Sequence, residues 1–245
     1  MNISKNRIFS LLIIAILVSG SCKKPAANTA TPQCQLQSLT GINVGSSEKI
    51  NYGSDNGVLG VELIGGPYTS LVPHKDVNSN VSRIDYYFNS TLVIEKYVQY
   101  DVNNRATLFS TYSNGQLSAY QSWTYTNGNR PTGQKIYSID NNGNTVLKSD
   151  ITFTYDSRGN VLTAGNTSYT YDDKTNAESV LKFLPDVVYG NANNMTSQTT
   201  RDQNGSVTSS INSTYVYDGN GNVSQREDIN NIGVSSSYIY LFQCH

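Results

Sequence analysis

Three sets of side chains in this 245-residue chain could do chemistry, and each must be judged by its spacing. The first is histidine. The chain has His74 and His245 and no others. A Ser-His-acid triad needs an imidazole beside a nucleophile. His74 lies in Gly65–Asn80 (GGPYTSLVPHKDVNSN), which reads as a long proline-bounded loop, and His245 is the last residue. Neither has a nucleophile context such as G-x-S-x-G, so no catalytic residue is assigned and no enzyme is expected. The second set is the carboxylates. Glu48, Glu62, Glu95, Glu178 and Glu227 are the only glutamates. Glycan hydrolysis needs two carboxylates that meet in space, so the sequence leaves that reaction open. Asp140–Asn144 (DNNGN) and Asp218–Asn222 (DGNGN) look like calcium loops. Such a loop usually gathers more than one carboxylate, and each copy here has one, so both read as turns. With two histidines and no C-x-x-C, zinc has little support. No metal and no cofactor is expected. The third set is aromatic. Trp123 is the only tryptophan and stands beside Tyr125 in QSWTYTNGNR. Indole and phenol faces stack on sugar rings, so both residues are candidates to face a glycan. The competing reading is that alternating rings fill an inward sheet face.

Cysteine is the remaining reactive type, at Cys22, Cys34 and Cys244. Lys5 and Arg7 precede an apolar run of eleven residues, Ile8–Val18. A spanning helix needs about 20 apolar residues, so this run is an address rather than an anchor. Ser19, Gly20 and Ser21 then lead into Cys22. That order resembles a bacterial lipoprotein signal, although Ser19 stands where such signals usually carry Leu. The resemblance implies cleavage before Cys22, acylation of Cys22, and an outer-membrane lipoprotein facing the periplasm or the cell surface. The alternative is a secretory signal cut after Ser21. With Cys22 acylated, Cys34 and Cys244 remain at the two ends of the folded part. Outside the cytoplasm such a pair tends to oxidise, and a loop of this length contributes roughly 5 kcal/mol in the chain-entropy model. Two unpaired thiols are the alternative. The domains are then 1–21 signal, 22–33 lipidated cysteine and tether, and 34–245 the folded part.

Composition narrows the partners. Removing Lys5 and Arg7 takes 17 basic residues to 15 against 18 acidic ones, a net charge of −3. A slightly acidic chain lacks the footprint of a nucleic-acid binder. The expected partners are a membrane, through the lipid, and a glycan or a protein. Tyr is abundant (18) and Phe scarce (6), a β composition with many reversals.

One motif recurs along the chain. FTYDSRGNVL (Phe153–Leu162), YVYDGNGNVS (Tyr215–Ser224) and YSIDNNGNTV (Tyr137–Val146) are its clearest copies. Tyr-x-Tyr places two rings on one strand face. Asp at the first turn position and Gly at the fourth is a type I turn pattern. The pairs Asp140 and Gly143, Asp156 and Gly159, Asp202 and Gly205, and Asp218 and Gly221 fit it, and Asp172 falls on the same spacing. Asp140, Asp156 and Asp172 are 16 apart, as are Asp202 and Asp218. Sixteen residues read as one hairpin, with strands of about 5–6 residues. The expectation is all-β: an antiparallel meander of about fifteen to twenty strands, curled or barrel-like, because so long a sheet cannot leave both edges open. Strands so short, with Thr, Ser and Gln on the alternate face, argue against a membrane-spanning barrel. Ala177–Asn194 (AESVLKFLPDVVYGNANN) interrupts the repeat and reads as one or two helical turns, ended by Pro185, that cap one end.

The Tyr-x-Tyr-Asp-x-x-Gly-Asn copies resemble YD (RHS-type) repeats. The layout of lipid cysteine, paired terminal cysteines, YD-like hairpins and a late insertion is similar to uncharacterised Bacteroidota lipoproteins with a porin-like, barrel-shaped fold. Larger YD-repeat proteins are often labelled carbohydrate-binding. The expected function is a non-enzymatic, envelope or surface-displayed binding or scaffold module, with a purely structural lipoprotein or a glycan hydrolase as rivals.

Overall fold

The Asp turn sets the architecture. In Asp140–Asn144 the Asp140 amide donates to the Asn144 carbonyl at 2.9 Å, and the Gly143 amide donates back to the Asp140 carbonyl at 2.9 Å. The Asp140 carboxylate accepts the Asn142 and Asn144 amides at 2.9 and 2.8 Å. Gly143 takes φ +81°, which closes the reversal. The same bonds recur at 76–80, 101–105, 156–160, 202–206 and 218–222. Tighter reversals at Asn89–Ser90 and Asn114–Gly115 have positive φ at both positions, as type I′ hairpins require.

A computed structural model describes residues 34–42, 46–126, 128–184 and 186–244, without the Val188 side chain. Cys22, the signal, the tether, Pro185 and His245 lie outside the described residues. Sixteen strands follow in order: β1 Cys34–Gly41, β2 Ser47–Tyr52, β3 Val58–Ile64, β4 Ser70–Lys75, β5 Val81–Phe88, β6 Thr91–Tyr100, β7 Ala106–Ser113, β8 Gln116–Thr124, β9 Gly133–Ile139, β10 Thr145–Tyr155, β11 Val161–Ala164, β12 Thr167–Thr175, β13 Asn193–Arg201, β14 Val207–Tyr217, β15 Val223–Asn230 and β16 Ser235–Cys244. Each pairs antiparallel with its neighbour, and β1 pairs with β16, so the sheet closes into a barrel with no free edge strand. Cys34 lies opposite Cys244 in that last pairing, and the two form a disulfide.

Two expectations change. The 16-residue spacing is mostly one strand plus one turn, not a hairpin. Asp140 and Asp156 flank the 11-residue β10, and Asp202 and Asp218 flank the 11-residue β14. Two short strands fit only between Asp156 and Asp172, where β11 has four residues. The longest strands thus reach the length that spans a membrane. Mid-strand ion pairs, Lys49–Glu62 and Lys135–Asp150, are exposed on the outer wall, where a lipid-facing band carries apolar side chains. The loop assigned to 65–80 also contains β4, so His74 is a strand residue.

The ends of the barrel differ. The proximal end is where Cys34 and Cys244 meet. It also carries the turns at 53–57, 76–80, 101–105, 156–160 and 218–222, the loop 125–132 and the insertion 176–192. Among the described residues the distal end carries only turns and short loops, such as 65–69, 89–90, 140–144 and 202–206. The insertion forms two short helical turns of the 3₁₀ type, Ser179–Leu181 and Val187–Gly190. Leu181 is 2 % exposed and joins Leu36, Leu39, Ile50, Val61, Leu71, Ile84, Tyr86, Val223 and Tyr240 in the main core, so the insertion caps the proximal end. Not every tyrosine is core. Tyr97, Ser110, Tyr120 and Tyr137 are successive cross-strand partners alternating with buried Val98 and Phe109, so these rings face outward.

Candidate functional site: the capped end of the barrel

The residue before the turn explains the Tyr-Asp pair. Tyr100 and Tyr155 each precede a turn aspartate and point inward. Their hydroxyls donate to the carbonyls of Val81 and Pro131 at 2.9 and 2.8 Å. Tyr52, Tyr125 and Tyr171 bond the carbonyls of Leu36, Ala106 and Val161 at 2.7 Å each. Each bond ties the proximal part of the wall to a strand or loop earlier in the chain. Burial pushes the Tyr155 hydroxyl up to about 12, against the pull of Arg130, so it stays a neutral donor.

The insertion is anchored by asparagines. Asn160, Asn191, Asn193 and Asn194 are all buried. Asn191 accepts the Val161 amide at 2.8 Å and donates to the Tyr171 hydroxyl at 3.0 Å. Asn160 Nδ2 donates to Asn193 Oδ1 at 2.9 Å, and Asn194 accepts the Ala177 amide at 2.9 Å. Asp172 belongs to this anchor and not to a turn. It lies in β12 beside a register shift, accepts the Asn194 amide at 3.1 Å, and is bonded by the Tyr217 hydroxyl. The 16-residue count reached Asp172 because β11 and β12 are joined by a two-residue turn, and the chain then runs on instead of reversing.

A half-buried ionic cluster holds the insertion from the other side. Arg226 Nη1 lies 2.6 Å from Glu178 Oε1, and Arg226 Nε lies 3.3 Å from Asp228 Oδ1. The Tyr240 hydroxyl donates to Glu178 at 2.6 Å, and the guanidinium lies 4.2 Å from the Tyr238 ring centre. Burial alone would weaken the Arg226 proton, but the carboxylates of Glu178 and Asp228 outweigh it and hold the charge more firmly than usual. Burial raises the Glu48 carboxyl, as does repulsion from Glu178, with Arg226 opposing. The space beside Glu178 is about 50 Å³, room for a water or two and too small for a sugar.

The two aromatic candidates come together at a larger space. Trp123 and Tyr125 line a cavity of about 370 Å³ with Phe109, Tyr155, Arg130 and Lys182. Trp123 stands between Phe109 and Phe153, with ring centres 5.7 and 6.2 Å away. Its Nε1 is buried with no hydrogen-bond partner among the described residues. The Tyr125 hydroxyl is committed to Ala106, and its ring lies under Arg105 at 4.7 Å. The Arg130 guanidinium rests over Tyr155 at 5.7 Å and against Gly159, where a Cβ would overlap it. Gly159, chosen as a turn glycine, thus also leaves room for Arg130. A second cavity of about 590 Å³ opens beside the disulfide, between Tyr52, Val180 and Phe242.

The remaining sequence candidates lie elsewhere. Asp140, Gly143, Asp202 and Gly205 form turns at the distal end, and Asp218 and Gly221 form a proximal one. His74 is on the outer wall, its Nε2 2.7 Å from Asp85, and Arg83 donates to the same carboxylate at 2.9 Å. The Ser82 hydroxyl bonds the His74 carbonyl and not its ring. Arg130, Lys182 and the asparagine run were not selected from sequence. The run Asn191–Asn194, with no glycine at a turn position, was the available signal for the anchor.

No known family matches the chain, and no curated protein does. Among solved structures it is similar to a porin-like protein from Bacteroides uniformis (9 % identity, 84 % of this chain and 96 % of that one, TM-score 0.42). It is also similar to a porin-like protein from Bacteroides vulgatus (10 %, 84 % and 98 %, TM-score 0.44). A Tc holotoxin pore from Photorhabdus luminescens is similar over 77 % of this chain and 9 % of that one (14 %, TM-score 0.34). The strand pairing of the chain itself defines its class, a closed sixteen-strand antiparallel barrel capped at one end.

Proposed function

We propose that the protein is a lipid-anchored, non-enzymatic binding module of the cell envelope whose ligand is a glycan seated in the Trp123 cavity. The observation that carries this reading is the cavity itself. Its 370 Å³ falls in the range of small-molecule sites, about 300–1,000 Å³. Its walls are aromatic, with Phe109, Trp123, Tyr125 and Tyr155 on the lining beside the polar Asn129, Arg130 and Lys182. A sugar supplies both complements, a C–H face for the rings and hydroxyl oxygens for the polar groups. A non-catalytic role is supported by the carboxylates: Glu178 is tied to Arg226 and Tyr240 in a space too small for a sugar. Anchoring rests on the lipoprotein-like approach to Cys22. The test is a glycan array on the full-length protein in detergent. Binding to one or more glycans that W123A abolishes is expected. Silence across the array, or binding that W123A leaves intact, overturns the reading.

A further inference from the structure

The chemistry at the mouth of the cavity narrows the ligand beyond "a glycan", and the narrowing rests on that reading. We infer that the Trp123 cavity takes an acidic sugar, a saccharide ring bearing a carboxylate. Two cations reach the lining, Arg130 from the loop 125–132 and Lys182 from the insertion. Neither forms an ion pair with a carboxylate among the described residues. Nearby acids are engaged elsewhere. Asp101 is paired with Arg105 at 2.6 Å, and Asp156 accepts the amides of Arg158, Gly159 and Asn160 at 2.7–2.9 Å. Asp186 is the one carboxylate on the lining, against the two cations.

Arg130 is also held in place. Its Nη2 donates weakly to the Arg158 carbonyl at 3.4 Å, its plane lies over Tyr155, and Gly159 leaves the space it fills. A guanidinium so placed has most of its N–H fork free, and that fork matches a carboxylate in two-point geometry. The cations also stand out against the chain, whose formal net charge is −1. A neutral sugar would use the rings and leave Arg130 and Lys182 without a role. An anionic lipid headgroup would use the cations and leave the aromatic walls without a ring to stack on. A carboxylated sugar satisfies both: ring face on the indole and phenol walls, carboxylate at Arg130 and Lys182.

Trp123 is the only tryptophan, so fluorescence excited beyond the absorption of the 18 tyrosines reports this side chain alone. The full-length protein in detergent is titrated with trigalacturonate, trimannuronate and sialyllactose, and with galactotriose, mannotriose and lactose. At least one acidic saccharide is expected to shift the Trp123 emission and bind at least tenfold tighter than its neutral counterpart. Its affinity should fall with added salt. R130Q, a change at an exposed side chain, should keep the wild-type melting temperature and lose at least tenfold in that affinity, with K182Q losing less. Equal binding of a neutral saccharide, unaffected by R130Q, overturns the acidic assignment and leaves the glycan reading standing. Silence toward all six overturns the acidic assignment, and the glycan array above then decides the broader reading separately. Arg130-dependent binding to phosphatidylglycerol vesicles without a saccharide response also overturns it.

Discussion

The two ends of the barrel are built with the same turn and used differently. Asp140 at the distal end and Asp156 at the proximal end both accept the amides two and four positions on. At the distal end the Asp140 turn is largely exposed and borders an open hollow with Asn114 and Leu117, a hollow without aromatic side chains. At the proximal end the same turn is built upon. Asn160, which closes the Asp156 turn, is 1 % exposed and bonds Asn193 at the foot of the insertion. Tyr155, which opens it, walls the Trp123 cavity. The repeat makes a scaffold at both ends, and the departures from the repeat make the site at one.

Substitutions can break or sharpen that contrast. The largest effect is expected from Arg226→Met, which leaves the half-buried Glu178 and Asp228 without their cation. Breaking a fully buried pair costs about 3–5 kcal/mol, and this half-buried one should come near the lower figure. Urea denaturation should show that loss, and hydrogen exchange should show the insertion opening first. A cost under about 1 kcal/mol would mean that the cap is held by its asparagines alone. Next is the double change Cys34→Ser with Cys244→Ser, which releases a closure of sequence separation 210. Removing a native disulfide costs roughly 2–5 kcal/mol. The proximal ends of β1 and β16 should exchange faster, while the distal turns keep their protection. A paired comparison comes third. Asp140→Ala should cost about 1 kcal/mol in melting experiments. Asp156→Ala should cost about 2 kcal/mol, because it also strips a partner from buried Asn160. Equal costs would erase the distinction between the ends.

The smallest effect is electrostatic. The Glu48 carboxyl is raised from 4.5 in the folded protein. Over the interval above 4.5 the folded state keeps a proton that the unfolded chain has lost. Stability therefore falls as pH rises through the folded value. E48Q, which stays neutral, should melt a few degrees above the wild type at pH 7, and the two should converge below about pH 4. A gap that grew on acidification would reverse the sign.

The local grammar was legible because it is local. The Asp-to-Gly turn closes within five residues, and its amide and carboxylate bonds need nothing from the rest of the chain. The all-β class, the antiparallel meander and the disulfide partners followed from that grammar and from the placement of the cysteines, and the sixteen strands fall inside the expected range of about fifteen to twenty. The period misled where it counted turns without knowing which end each occupied: one 11-residue strand and one turn fill the same sixteen residues as a short hairpin. Asp172 shows the same limit, since a bulge and the Asn194 amide, distant in sequence, decide its role. Tertiary structure alone settled which rings face inward, Trp123 toward the cavity and Tyr120 toward the outside. It also set Arg226 beside Glu178, 48 positions away, and Tyr240 beside that carboxylate, 62 away. Cavities and buried ion pairs arise only when the sheet closes on itself, and closure joins residues whose separation along the chain carries no periodic signal.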